Sequence, residues 1–479
     1  MKRPACLCLG FAFAIALAAA SCAINPVTGR SELSLVSEQG EIDMGKQADV
    51  EISREYGFYD SPALTQYVTA VGRTIVPNTH RPGLTCHFAV LDSPVVNAFA
   101  APGGYVYVTR GVLALMNSES ELAAVLGHEL GHISARHSVR KLSQMILVQA
   151  GLLVGSALST TFAKFAGVAG LGAQLLFLQF SRDDEREADA LGIEYARKSR
   201  YNPAETISFF ASLQKYGDLA GGRSLPGFLS THPLTGERIQ NAKAMILSTD
   251  AGLAQRREPY LRQIDGLIYG DDPRQGYVEH NAFYHPLLRI QFLIPPGWKT
   301  QNTPVQVVLA GDNGNAALIF QGETANDDLA AFARKKASQI EGGQLLNEQA
   351  TTINGIASYH QLVDIVRQDQ DRLRARLSFF RKGSHIYSFT ALSRSSDFGR
   401  YDGVFQFVVG SFNDLNDAGH LNRQPRHLRI LAADGQRALK DYFAQGNAPK
   451  ESWPMLAVMN GMADAAAIPE KNRLIKIVR

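Results

Sequence analysis

The stretch AAVLGHELGHISARH, residues 123–137, sets two histidines four positions apart with a glutamate beside the first. On an α-helix, positions i and i+4 lie one turn apart on the same face. His128 and His132 can therefore reach a single ion together, with Glu129 facing the position next to it. Zinc accepts imidazole and carboxylate ligands, and a catalytic zinc site takes three protein ligands and keeps the fourth position for water. The rest of the chain must supply the third ligand.

NSESELAAVLGHELGHISARHSVRKL reads as a helix, with Ser118 and Glu121 as a capping box and Leu122, Val125, Leu126 and Ile133 as its buried side. Zinc lowers the pKa of its water to about 7, against about 15.7 in bulk. Glu129 would take that proton and pass it to the leaving amine, which is the logic of the H-E-x-x-H zinc proteases. A metzincin would place a third histidine at position 138, which is Ser138, and a glycine at 135, which is Ala135. His137 comes one step early and reads as a surface group or as one that backs a ligand. SRDDEREADALGIEYARK offers a carboxylate instead: Glu185 and Asp189 share a helix face, while Glu187 points elsewhere. Glu185 as a ligand, with Asp189 orienting a histidine, is chemically sound. A solvated, charged helix start is the alternative. It accounts for Asp183, Asp184 and Arg186 better than for the change to ADALGIEYA.

At 479 residues the chain predicts two to four domains. Lys and Arg number 48 against 45 Asp and Glu, and this near-neutrality speaks against nucleic acid as a partner. Residues 1–21 have a signal-peptide layout: Lys2 and Arg3, an apolar run from Leu7 to Ala20, then small residues. The AAAS before Cys22 resembles the bacterial lipobox, although Ala19 stands where Leu is commoner. That resemblance implies Cys22 as the lipidated first residue of a periplasm-facing protein, and Ala23 after it points to the outer membrane. Cys6 and Cys8 leave with the signal peptide and Cys22 is acylated. Cys86 then remains without an internal disulfide partner.

Further along, two helical patterns run from Ser37 to Val76, followed by strands at 86–91, around 97–100 and at 105–109. Residues 142–180 carry one charge, Lys164, and glycines at 151, 155, 167, 170 and 172. They read as a helix-loop-helix lid beside the site, with a membrane hairpin as the alternative. Helices follow at about 181–198 and from NPAETISFFASLQKYG, and LSTHPLTGERI opens the last helix of this domain. Residues 280–418 alternate as strands (LLRIQFLI, PVQVVLAG, NAALIFQG, YHQLVDIV, LRARLSFFR, HIYSFTAL) with two helices, an α+β domain that weakly resembles the PsbP/Mog1-like fold. Residues 427–479 resemble a degenerate LysM module, a βααβ unit with its Leu-x-x-x-Asn-Gly centre. The segment reads either as a glycan-binding module or as a packed C-terminal cap.

Taken in order, NAFAAPGG, HELGH, FSRDDEREADALG and STHPLTGER resemble the HtpX/CAAX-prenyl-protease/BepA group of zinc metallopeptidases over roughly residues 24–265. The resemblance implies one zinc held by His128, His132 and Glu185. It implies an edge strand at Asn97–Gly104, with Asn97, Ala98, Phe99 and Ala100 pairing with substrate backbone. It also implies that His232 and Arg238 line the site. Either could stabilise an oxyanion, or His232 could fill the open position of the metal in a resting state. The expected architecture is a mainly helical, gluzincin-like metallopeptidase domain with a small sheet at 22–270, the α+β domain at 280–418 and the module at 427–479. The expected function is a zinc-dependent endopeptidase that takes polypeptide substrates among misfolded envelope proteins, tethered to the membrane by its lipid. The rival reading is a largely latent assembly factor that recruits envelope partners or peptidoglycan.

Overall fold

The computed structural model describes residues 22–152, 179–219, 227–311, 314–366 and 372–479. The signal peptide and most of the expected lid, residues 153–178, lie outside the described residues. The chain forms two units, Met1–Gly270 with Arg426–Arg479, and Asp271–Pro425.

In the first unit, a two-stranded ribbon, Cys22–Ile24 with Ser31–Leu33, precedes α1 (Glu38–Tyr56) and α2 (Pro62–Ile75). Pro62 suits the first turn of α2, and Leu64, Val68, Val71 and Ile75 form the buried stripe of a helical period. Strands β1 (His87–Leu91), β2 (Ala98–Ala101) and β3 (Tyr105–Thr109) follow. β3 is central, parallel to β1 and antiparallel to β2, so β2 is an edge strand. Then come α3 (Glu119–Ser134), α4 (His137–Leu152), α5 (Arg182–Lys198), α6 (Glu205–Leu219) and α7 (Gly236–Met245). Among the described residues no helix is long and apolar enough to cross a membrane.

The chain leaves this unit after β4 (Ile268–Tyr269) and returns through β5 (Arg426–Ala432), α8 (Leu439–Gln445), α9 (Trp453–Met459) and β6 (Leu474–Val478). The strand-helix-helix-strand order is the one expected for 427–479, but the segment does not stand apart. β5 pairs with both β6 and β4. Leu428, Tyr442, Leu456 and Ile477 share one apolar core with Leu113, Leu122 and Tyr260. A βααβ segment this short buries little surface on its own, and here the peptidase core completes it.

The second unit starts nine residues earlier and ends seven later than the expected 280–418. Among the described residues it holds a seven-stranded antiparallel sheet. In spatial order the strands are Lys299–Thr303, Gln306–Gly311, Ala316–Thr324, His385–Arg394, Arg372–Lys382, Ile356–Val366 and Gly343–Ile353. Helices Leu329–Ser338 and Phe398–Gly410 pack on it through Phe332 and Phe405.

Candidate metal centre

α3 is capped by Ser118, whose Oγ accepts the Glu121 N–H at 3.1 Å. The return arm of the expected capping box goes one residue further back: Glu121 Oε2 accepts the Asn117 N–H at 2.6 Å. α5 has the full reciprocal box, between Ser181 and Asp184. The two helices approach closely because small residues face each other. A Cβ at Gly131 would meet the Ala188 carbonyl at 3.1 Å, and one at Gly192 would meet the His128 nitrogen at 2.9 Å. The glycines that precede each histidine in LGHELGH are thus what lets Glu185 reach the histidines.

Among the described residues, donor atoms of His128, His132, Glu185 and His232 all lie within 4.8 Å of one another. His128 Nε2 is 3.0 Å from His132 Nε2 and 3.3 Å from His232 Nδ1. Glu185 Oε1 is 2.8 Å from His232 Nδ1 and 3.5 Å from His132 Nε2. None of the four residues, nor Glu129, is more than 5 % exposed. The outward nitrogens have partners of their own: His128 Nδ1 meets Asp189 Oδ1 at 2.9 Å, and His132 Nδ1 meets His137 Nδ1 at 2.8 Å. With protons on those outward nitrogens, the inward Nε2 lone pairs face each other across 3.0 Å. That arrangement is repulsive unless a cation sits between them, and it suits zinc, which takes imidazole and carboxylate ligands together.

The electrostatics favour a cation. Burial pushes the His132 pKa well below the ordinary value, so its ring is neutral. Burial alone would raise the Glu185 carboxyl, but His232, His132 and His128 hold it far below the usual carboxylate range. Burial also opposes a charge on His232, and here Glu185 and Glu129 win and raise its pKa. The two carboxylates thus draw positive charge into the pocket. Glu129 itself is raised by burial, offset in part by His232 and His128. Its Oε1 is buried without a hydrogen-bond partner, 3.7 Å from His232 Nε2. Phe180 stacks on His132 with ring centroids 4.1 Å apart, and Phe228 packs on His232 at 4.7 Å.

The sequence-derived residues are placed unequally. Asp189 lies behind His128 and is gripped by Arg238 through Nε at 2.7 Å and Nη2 at 2.8 Å. Arg238 Nη1 is 2.8 Å from Glu185 Oε2 and donates to the Pro233 carbonyl at 3.0 Å. Arg238 lines the site as the resemblance implied, but its guanidinium hydrogen-bonds Asp189 and the backbone around His232 and pairs with Glu185, the contacts of a positioning residue. His232 does reach the cluster. The Asn97 carbonyl accepts the Thr109 N–H at 3.0 Å. Antiparallel alternation then turns the backbone groups of Phe99 toward β3 and those of Ala98 and Ala100 away from it, with Ala98 fully buried. The Ala100 N–H is bound by Glu129. Cys22, the expected lipidation site, begins a short strand, Cys22–Ile24. Sequence reasoning missed that His137 and Glu187 belong together: His137 is fully buried, and its Nε2 is 3.0 Å from Glu187 Oε2. The spacing of His137, five residues after His132, was the available signal.

Residues 62–246, which contain every one of these groups except Cys22, match the model of Peptidase family M48. The beta-barrel assembly-enhancing protease of Yersinia pestis is 33% identical over 228 residues, covering 46% of this chain and 46% of that protein. The mitochondrial metalloendopeptidase OMA1 of Schizosaccharomyces pombe is 32% identical over 221 residues, covering 45% of this chain and 64% of that one. The chain thus spans about half the length of the first of these relatives and under two thirds of the second. Among solved structures, the cyanobacterial PsbP of Synechocystis aligns over 28% of this chain and 91% of its own at 14% identity, with a TM-score of 0.25 that decides nothing about the second unit. Residues 62–246 form a domain of peptidase family M48, a zinc-dependent metallopeptidase domain.

Proposed function

We propose that this chain is a zinc-dependent endopeptidase of the bacterial envelope that hydrolyses misfolded or misassembled envelope proteins. The observation that carries the reading is the convergence of His128, His132 and Glu185 beside a glutamate whose free oxygen has no partner. In this reading those three residues hold the ion, Asp189 and Arg238 hold them in place, and Glu129 moves the proton. Zinc would supply a polarised water and charge stabilisation for the carbonyl oxygen under attack. An extended substrate segment adds to the edge strand β2 along Asn97–Ala100. Cys22 as a lipid anchor accounts for an address at the outer membrane. The name of the Yersinia relative, which refers to β-barrel assembly, supports envelope proteins as the substrate class. A peptidoglycan contact through 427–479 draws support only from the strand order of that segment.

The experiment is zinc analysis with casein digestion by the purified protein. About one zinc per chain is expected, with proteolysis that chelation abolishes and one equivalent of zinc restores. Equal digestion by metal-free protein would overturn the reading.

One observation favours latency as a second reading: His232 Nδ1 lies among the ligand atoms. A fourth protein ligand closes a tetrahedral site and leaves no position for water. His232→Ala is therefore expected to raise basal casein digestion several-fold at unchanged zinc content. A large loss of activity with normal zinc would instead make His232 a catalytic group.

A further inference from the structure

We propose that His137 and Glu187 form a relay that fixes the tautomer of His132 and so sets how tightly the site holds its ion. The inference rests on His132 being a metal ligand. The two histidines of α3 are supported differently. His128 Nδ1 has a carboxylate directly behind it, Asp189, at 2.9 Å. Among the described residues His132 has no such neighbour on its Nδ1 side. Its Nδ1 meets the ring of His137, the first residue of α4, at 2.8 Å, and the carboxylate lies one imidazole further out.

The proton positions follow from the geometry. A neutral imidazole that coordinates through Nε2 carries its hydrogen on Nδ1. His132 Nε2 faces His128 and Glu185, so its Nδ1–H donates to His137 Nδ1. His137 then accepts on Nδ1 and must carry its own hydrogen on Nε2, where it donates to Glu187 Oε2 at 3.0 Å. Both rings are thereby fully satisfied in a buried setting. The reverse direction would place a hydrogen on His132 Nε2, pointing into the cluster, and remove the ligand. Glu187 supplies the polarity, and its carboxyl is held below the ordinary range chiefly by this hydrogen bond. Asp184 Oδ1, 3.7 Å from His137 Nε2 and paired with Arg140, reinforces the negative end. Glu187 lies two residues beyond Glu185 and therefore on another face of α5. That face is the one presented to His137.

Carboxylate support of a ligating histidine orients its ring and raises its basicity. The test is the zinc affinity of the full chain, read by competition with a chromogenic chelator. His137→Phe keeps a flat buried ring and removes the acceptor, and it is expected to weaken zinc binding roughly 10- to 100-fold. Glu187→Ala should weaken it in the same direction, and Glu187→Gln, which keeps an accepting oxygen, should restore much of the loss. Wild-type affinity in His137→Phe would overturn the relay. Should that variant not fold, wild-type affinity in Glu187→Ala would overturn it instead. His132→Ala separates the two layers. If it binds zinc normally, the ligand assignment itself is wrong. If it loses zinc while His137→Phe binds as wild type, only the relay is.

Discussion

Glu129→Gln is expected to leave zinc content unchanged and to cut casein hydrolysis by roughly 10²- to 10⁴-fold. The residue sits beside the ligand set without belonging to it. One carboxylate oxygen takes the Ala100 N–H, and the other, Oε1, is buried and unpartnered 3.7 Å from His232 Nε2. Glutamine has the same shape, can still accept from Ala100, and replaces the proton-accepting oxygen with an amide. Burial raises the Glu129 carboxyl, which brings its proton affinity closer to that of the water it would deprotonate in the proposed reaction. The measurement is bound zinc together with turnover, at equal protein. Activity within tenfold of wild type at full zinc would remove Glu129 from the chemistry, and loss of zinc would make it a ligand.

The sequence displayed the metal pair because a helix converts a spacing of four into one face, and α5 became legible the same way through Glu185 and Asp189. The His137–Glu187 pair was only half legible: the spacing set His137 near His132, but its bond to Glu187 joins two helices through one contact, and no periodicity encodes that. The two strands of the seven-stranded sheet that the sequence reading did not name, Lys299–Thr303 and Gly343–Ile353, are its edges. Almost every residue of Gly343–Ile353 is exposed on both faces, so it shows none of the apolar-polar alternation by which the inner strands announce themselves. The role of Arg238 was illegible for a related reason. Its position near the site follows from the motif, but where a guanidinium spends its donors depends on carbonyls and carboxylates brought in by the fold. In 427–479 the Asn460 that marked a LysM-like centre is buried and fully engaged. It donates to the Leu456 and Lys476 carbonyls and accepts the Lys476 N–H. Its role here is to tie α9 to β6.

Lys476→Met should cost about 3–5 kcal/mol of stability, because it removes one member of a buried polar cluster and leaves the others stranded. Lys476 is inaccessible to solvent, on β6. Its Nζ donates to the carbonyls of Ala114 at 2.9 Å, Leu115 at 3.3 Å and Met459 at 2.8 Å, and also to that of Met116. These carbonyls end the helix Arg110–Leu115 and α9, where the last turns of a helix leave acceptors unpaired. Burial drives the Lys476 pKa well below the ordinary value against the pull of Glu121, whose own carboxyl burial pushes up to about 7. Methionine keeps the stem and its packing, so the loss reads the Nζ group alone. The lysine joins the C-terminal segment to the turn before α3, the helix that carries His128 and His132. Deleting residues 427–479 should accordingly unfold the peptidase unit, whereas a detachable module would come away without harm. Urea midpoints followed by circular dichroism check both variants. A Lys476→Met protein within about 1 kcal/mol of wild type would mean that water satisfies those carbonyls, and a deletion variant that stays folded and zinc-loaded would restore the independent module.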